Sequence, residues 1–186
     1  MDNGSDIVIY HPATHRLLTS PALMSKQAFE TFPAFSPDGK TLFFCSAEAQ
    51  QMPQDYKKVK YSLCSISFDA QAGRLGEKVD TLVSASRIGK SVSFPRPSYD
   101  GRYVMFTLSD YGNFSIWHKE ADLWLLDLKT GNYRPLKEVN SGDTESFHNW
   151  SSNSHWFVFS SRRDNGLYTY LYFACIGNDG KVTKPF

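Results

Sequence analysis

Three groups of residues carry the side-chain types that chemistry requires. The first is His148, in Phe147-His148-Asn149-Trp150. An imidazole titrates near neutral pH, so it can serve as acid, base or metal ligand, or it can sit hydrogen-bonded within a strand. A metal site wants three or four convergent ligands. His11, His15 and His155 fall near turns or in outer strands, and His118 alone is placed to reach the same end of the molecule. The second group is Arg162-Arg163-Asp164, followed by Asn165-Gly166. Guanidinium forks fit carboxylate or phosphate, but Asp164 with one arginine would equally make a salt-bridged turn. Arg87, Lys90 and Arg96 occupy corresponding places one repeat earlier, so together these cations would favour an acidic partner. The third group is Tyr111, Phe114, Trp117, His118 and Lys119. Rigid aromatics beside cations suit a sugar, peptide or protein contact, unless Phe114 and Trp117 fold back as a cap. No Gly-x-Ser-x-Gly, His-Glu-x-x-His, phosphate loop or Cys-x-x-Cys occurs, and the acidic residues are scattered over turns. No catalytic set, metal site or cofactor is therefore assigned.

The elements that must hold these groups are written as a repeat. Residues 32–46 (FPAFSPDGKTLFFCS) return as 94–108 (FPRPSYDGRYVMFTL) and as 147–161 (FHNWSSNSHWFVFSS). The turn residues Asp38, Asp100 and Asn153 keep the register of Phe32, Phe94 and Phe147. In Ser36-Pro37-Asp38-Gly39, proline presets φ, aspartate bonds its own backbone and glycine accepts a positive φ. The flanks are rich in β-formers, which predicts a hairpin. Its second strand is apolar on both faces, so it must be covered on both sides. Between the hairpins lie further strands at 6–10, 61–68, 122–128 and 169–176, most followed by a polar turn and another short strand. Units of about 50 residues with four antiparallel strands describe a β-propeller blade. The chain parses as a half-blade at 6–19 and blades at 31–83, 93–137 and 146–184, one partial propeller domain. Helix should be nearly absent, with Pro53 making a loop of 47–60.

Composition agrees with an all-β soluble chain. Among 186 residues there are 14 Phe, 10 Tyr and 4 Trp, an aromatic excess that suits strands. The net charge of +1 offers no general attraction to nucleic acid, and no run of eighteen apolar residues suggests a membrane span. The start of the sequence lacks the basic and apolar regions of a signal peptide. Cys45, Cys64 and Cys175 each lie in an apolar run and read as buried free thiols.

The pairing of "FSPDGKTLFF" with an "LWLLDLKTG" strand resembles the Pro-Asp variant of the WD-type repeat found in TolB-like propellers and in propellers attached to peptidases. Members of that family close rings of about six to eight blades. The resemblance therefore implies that a longer chain or a homodimer supplies the missing blades. It also implies a periplasmic or cell-envelope setting. In such a propeller the SPDG-type turns face one rim, and the loops at 20–30, 47–60, 84–92, 109–121, 138–145 and 162–168 share the other. Loops on a rigid scaffold carry function. The expected role is a non-catalytic binding module for a protein or glycan, using Tyr111, Trp117, His118, His148, Arg162, Arg163, Arg87 and Arg96. The resemblance leaves two alternatives: a polysaccharide lyase or hydrolase with His148, Arg162 and Arg163 in a channel active site, as in propeller lyases that use channel histidines with a metal, or a regulatory propeller of a larger peptidase.

Overall fold

The computed structural model describes residues 4–186, and nearly all of its regular structure is antiparallel strand. A hairpin of β1 (Ile9–His11) and β2 (Arg16–Leu18) comes first. The first full sheet contains β3 (Ala28–Phe35), β4 (Thr41–Glu48), β5 (Ser62–Asp69) and β6 (Arg74–Val83), in that spatial order. The second contains β7 (Ser91–Pro97), β8 (Tyr103–Ser109), β9 (Asp122–Asp127) and β10 (Tyr133–Pro135), again in chain order. The third has β11 (Glu145–Trp150), β12 (Trp156–Ser161) and β13 (Tyr170–Cys175). In its fourth position the segment 181–186 forms no regular strand but is tied to β13 by an Ile176–Val182 bridge, a Thr183 N–H to Cys175 carbonyl bond and a Phe173–Phe186 backbone pair, with Pro185 supplying no N–H to the ladder. Helix is confined to α1 (Ala85–Ile88) and to 3-10 turns at Pro21–Leu23, Tyr56–Lys58 and Ser115–Trp117.

The repeated turn owes its shape to one serine and one acidic or amide side chain. Ser36 Oγ donates to Asp38 Oδ1 at 2.6 Å and accepts from the Thr41 N–H at 3.0 Å, while Asp38 Oδ1 accepts from the Lys40 N–H. Ser98 with Asp100, and Ser151 with Asn153, make the same set of bonds. The left-handed residue is Gly39 (φ 68°), Gly101 (φ 70°) and, in the third copy, Ser154 (φ 60°). Ser154 tolerates the strain while its Oγ accepts from the Asp100 N–H, tying adjacent turns together.

Sheets pack face to face through three apolar wedges. Leu23, Leu42, Phe44 and Ile66 lie between the N-terminal segment and the first sheet. Phe43, Cys45, Val104 and Phe106 fill the space between first and second. Met105, Leu123, Trp150, Phe157 and Phe159 fill that between second and third. Every residue of β8 is buried, as a strand covered on both sides demands. In β12 the faces differ: Phe157 and Phe159 are buried, while on the other face Trp156 is exposed, Val158 half-buried and Ser160 buried. Cys45 and Cys64 point to opposite faces of the first sheet, and all three thiols are free. Burial raises the Cys45 and Cys64 thiols above their ordinary values, so neither is an activated nucleophile.

The innermost strands share a feature that the repeat alone does not reveal. Phe32, Phe94 and Phe147 each sit at a β-bulge with positive φ, between 46° and 53°. Their rings meet from sheet to sheet in tilted contacts, at 4.5 and 5.2 Å between centroids. A left-handed backbone is unfavourable for a bulky residue. The aromatic ladder across the inner ends of the wedges offsets that strain.

Candidate functional site

The loops between second and third strands of each sheet lie side by side on one rim and are joined through side chains. Tyr111, from the loop after β8, packs edge-on against Tyr56 of the preceding sheet at 5.6 Å and against the His118 ring at 4.1 Å. Gly112 enters the same junction: its N–H donates to the Val59 carbonyl, and a Cβ there would lie 2.4 Å from the Tyr61 ring. Only glycine allows that approach. On the other side, the Arg162 guanidinium lies over the Trp117 ring at 5.0 Å, and its Nη2 donates to the Gly166 carbonyl. The loop at 110–121 is thus strapped to both of its neighbours.

That strapping leaves two large rings facing outward. Phe114 is 70% exposed and Trp117 63% exposed, so neither folds back as a cap. Phe114 has φ 53° and begins the Ser115–Trp117 turn, whose Ser115 is buried and paired with Ser93. The backbone is anchored from below while the aromatics are presented above it. Leu167 and Tyr168 of the next loop are exposed on the same rim.

The other candidates separate. His118 is buried with its ring tilted against Tyr111, and its Nδ1 lies 3.2 Å from Glu120 Oε1 but without hydrogen-bond alignment. Arg87 is exposed on α1 and makes no ion pair among the described residues. Lys90 pairs with Asp110 at 2.7 Å, which also lowers the Asp110 pKa. Arg96 lies well along β7 toward the opposite rim, where its carbonyl accepts from Trp150 Nε1. These cations therefore do not form a basic ring around the loop-rich mouth. The strand direction carries Arg96 away from the others.

Arg163 is consumed by the fold. Its Nη2 bonds the Val139 carbonyl at 2.6 Å and Glu145 Oε1 at 3.1 Å, Nε bonds Ser161 Oγ, and its guanidinium lies against the Phe159 and Tyr172 rings. Glu145 is fully buried and also accepts from Ser141 and Ser161 hydroxyls. Sequence reasoning passed over this glutamate because nothing local marks it as buried. Desolvation, and then the charge of Glu145, push nearby Asp122 up to about 6.

His148 is enclosed between the second and third sheets, 2% exposed, at the place held by Pro95 in the preceding repeat. Its Nε2 donates to the Met105 carbonyl at 3.0 Å, and burial pulls its pKa down to about 4. It does not face the channel, because the bulge turns Phe147 outward and sends the next side chain into the wedge. A folded pKa below the ordinary 6.5 means that the unfolded chain takes up the proton first. Stability is full above pH 6.5 and falls as the pH drops from 6.5 toward 4, by about 3 kcal/mol from this residue. Asp122 acts in the opposite sense, since its raised pKa adds stability as the pH falls through 6. Comparing urea midpoints of the wild type and His148→Gln at pH 7, 5 and 4 isolates the histidine. The gap should narrow on acidification; parallel profiles would refute the assignment.

Hairpin-linked antiparallel sheets, stacked in chain order with their first strands innermost, define an arc of a β-propeller. Solved propellers bear this out at the level of fold. The chain is similar to TolB from Acinetobacter baumannii, with 19% identity and a TM-score of 0.54, covering 95% of this chain and 40% of that one. An oligogalacturonate lyase in complex with manganese gives 11% identity and a TM-score of 0.64, covering all of this chain and 49% of that one. The β-propeller domain of the trilobed protease from Pyrococcus furiosus gives 15% identity and a TM-score of 0.50, with coverage of 87% and 43%. The chain thus spans half or less of these solved propellers. No protein-family model and no curated protein matches the sequence. Among the described residues no helix is long and apolar enough to cross a membrane.

Proposed function

We propose that the chain is a non-catalytic binding segment of a TolB-like propeller, which recognises a protein or glycan through the rim at 110–121 and 162–168. One observation carries this reading: Phe114 and Trp117 stay exposed on a loop whose backbone is fixed on both sides. Rigid, solvent-facing aromatics are the residues that dominate recognition energetics, and a preorganised loop loses little entropy on binding. A cell-envelope setting and completion of the ring by further blades, from a longer chain or a second copy, belong to the same proposal. They are supported by the likeness to TolB and by the greater length of the solved propellers. A lyase or hydrolase built on His148 would need that ring at the channel surface, and it is buried in the wedge.

The test is affinity capture with immobilised wild-type chain and Trp117→Ala, followed by titration of whichever partner is identified. Trp117→Ala should weaken binding tenfold or more while leaving the thermal midpoint unchanged. Equal affinity for the two proteins would overturn the role of the rim.

A further inference from the structure

Beneath Trp117 lies a small cavity of about 60 Å³. The rings of Trp117 and Phe147 line it, with Thr144, Ser146, Ser160, Arg162 and Thr169 supplying its polar lining. Two of those polar atoms, Thr144 Oγ1 and Arg162 Nε, are buried without a hydrogen-bond partner. Leaving such groups unpaired is unfavourable, and an unpaired guanidinium N–H most of all. Among the described residues the Ser146 and Ser160 hydroxyls also make no side-chain hydrogen bond. No carboxylate lines the cavity. The acidic side chains flanking it in sequence are already engaged: Asp143 accepts from the Thr144 N–H, Glu145 from Arg163 and the Ser141 and Ser161 hydroxyls, and Asp164 from the Tyr172 hydroxyl. The site is therefore rich in donors, carries one positive charge and lacks an anion.

We propose that this cavity is a carboxylate-binding pocket, through which the rim takes up an acidic side chain of a peptide or protein partner. The inference rests on the rim's being a recognition surface and adds the chemistry it recognises. Arg162 is preorganised to receive such a group. Its guanidinium lies over the Trp117 ring at 5.0 Å and Gly166 holds Nη2, leaving Nε buried and both Nε and Nη1 without a partner. A stacked guanidinium keeps its charge and offers its edge to a planar anion. The volume decides the size of guest. A space of about 60 Å³ matches a carboxyl group more closely than a whole sugar ring. Exposed Phe114, Leu167 and Tyr168 beside the mouth suit the neighbouring side chains of a peptide.

The pocket can be tested on the ¹⁵N-labelled 186-residue chain by following the Arg162 Nε–H and Trp117 indole N–H resonances. The probes are the peptide acetyl-Gly-Glu-Gly-amide, its glutamine counterpart, propionate and glucuronate, at constant ionic strength set with sodium chloride. The glutamyl peptide should shift both resonances saturably and bind at least tenfold more tightly than the glutamine peptide. Arg162→Gln should abolish that preference. Thr144→Val, which keeps shape and removes one hydroxyl, should weaken it severalfold with the rest of the spectrum unchanged. Equal shifts with chloride, or an undiminished preference in both variants, would overturn the pocket. Tighter binding of glucuronate than of the glutamyl peptide would overturn the peptide assignment. If partner capture depends on Trp117 while propionate and the glutamyl peptide leave Arg162 unmoved, the pocket fails and the rim stands. If Trp117→Ala captures normally and the carboxylate probes still bind, the rim reading fails instead.

Discussion

Replacing Glu145 with alanine is expected to destabilise the chain by about 3–5 kcal/mol, the usual result of removing one member of a buried ion pair. Glu145 is 0% exposed, and its carboxylate gathers the Ser141 and Ser161 hydroxyls, the Ser141 N–H and Arg163. Its loss leaves the Arg163 guanidinium, 18% exposed as a side chain, without its counter-charge. The damage should be local in origin and wide in effect. The same carboxylate fastens the loop at 136–144 to β12, and the Glu145 N–H holds the Ala121 carbonyl at the end of the loop that presents Trp117. Urea denaturation of Glu145→Ala should show a much lower midpoint, with weakened partner binding as a secondary loss. Glu145→Ala combined with Arg163→Met provides the internal check. Removing both charges should recover part of the deficit, because the unpaired guanidinium is then gone. A double variant as unstable as the two single changes added together would show that the pair does not act as one unit.

A second large effect is expected from Phe106→Ala, about 3–5 kcal/mol. Phe106 lies at the middle of β8, wholly buried in the wedge between first and second sheets with Phe43, Cys45 and Val104. Neither sheet can follow the vanished ring, since β8 is held by ladders to β7 and β9 on its two sides. The cavity therefore stays open, and its cost adds to the lost burial. Domains of this kind are stable by about 5–15 kcal/mol in all, so a single ring can account for a large fraction. Phe106→Leu, which keeps most of the apolar volume, should lose much less. Similar urea midpoints for the alanine and leucine variants would mean that the wedge relaxes and that the sheets are not rigidly stacked.

Both effects arise between sheets, and so does the division between what was legible in the chain and what was not. The turn chemistry was legible, because Ser36 and Asp38, two residues apart, complete their bonds within one hairpin. The four-stranded unit was legible from alternation and spacing, and with it the fold class. In the last unit "KVTKPF" has β-formers and pairs with β13, but its proline interrupts the ladder, so the pairing is irregular. Strand direction predicts a shared end for the rim loops, and Tyr111 does meet Tyr56 and Arg162 does meet Trp117, yet the roles of their residues are not separable from the sequence. Arg162 and Arg163 are adjacent in sequence, and the alternation of side chains sends one toward Trp117 and the other into the Glu145 network.

What the amino-acid sequence determined by itself is whatever closes within about ten residues: the hairpins, the left-handed turn positions, the order of strands and hence the propeller class. What only the tertiary structure decided is which side chains remain free to act. His148 finds its partner 43 positions away in Met105, and Trp150 finds Arg96 at a distance of 54. Such contacts depend on the rotation of one sheet against the next, which no local pattern encodes. The bulge at Phe147 shifts the register of β11, and the His148 that follows it is buried against Met105. The neighbouring loops then hold Trp117 out in solvent above an arginine with an unfilled hydrogen bond. Burial of a polar group and exposure of an apolar one are decided by neighbours from other sheets.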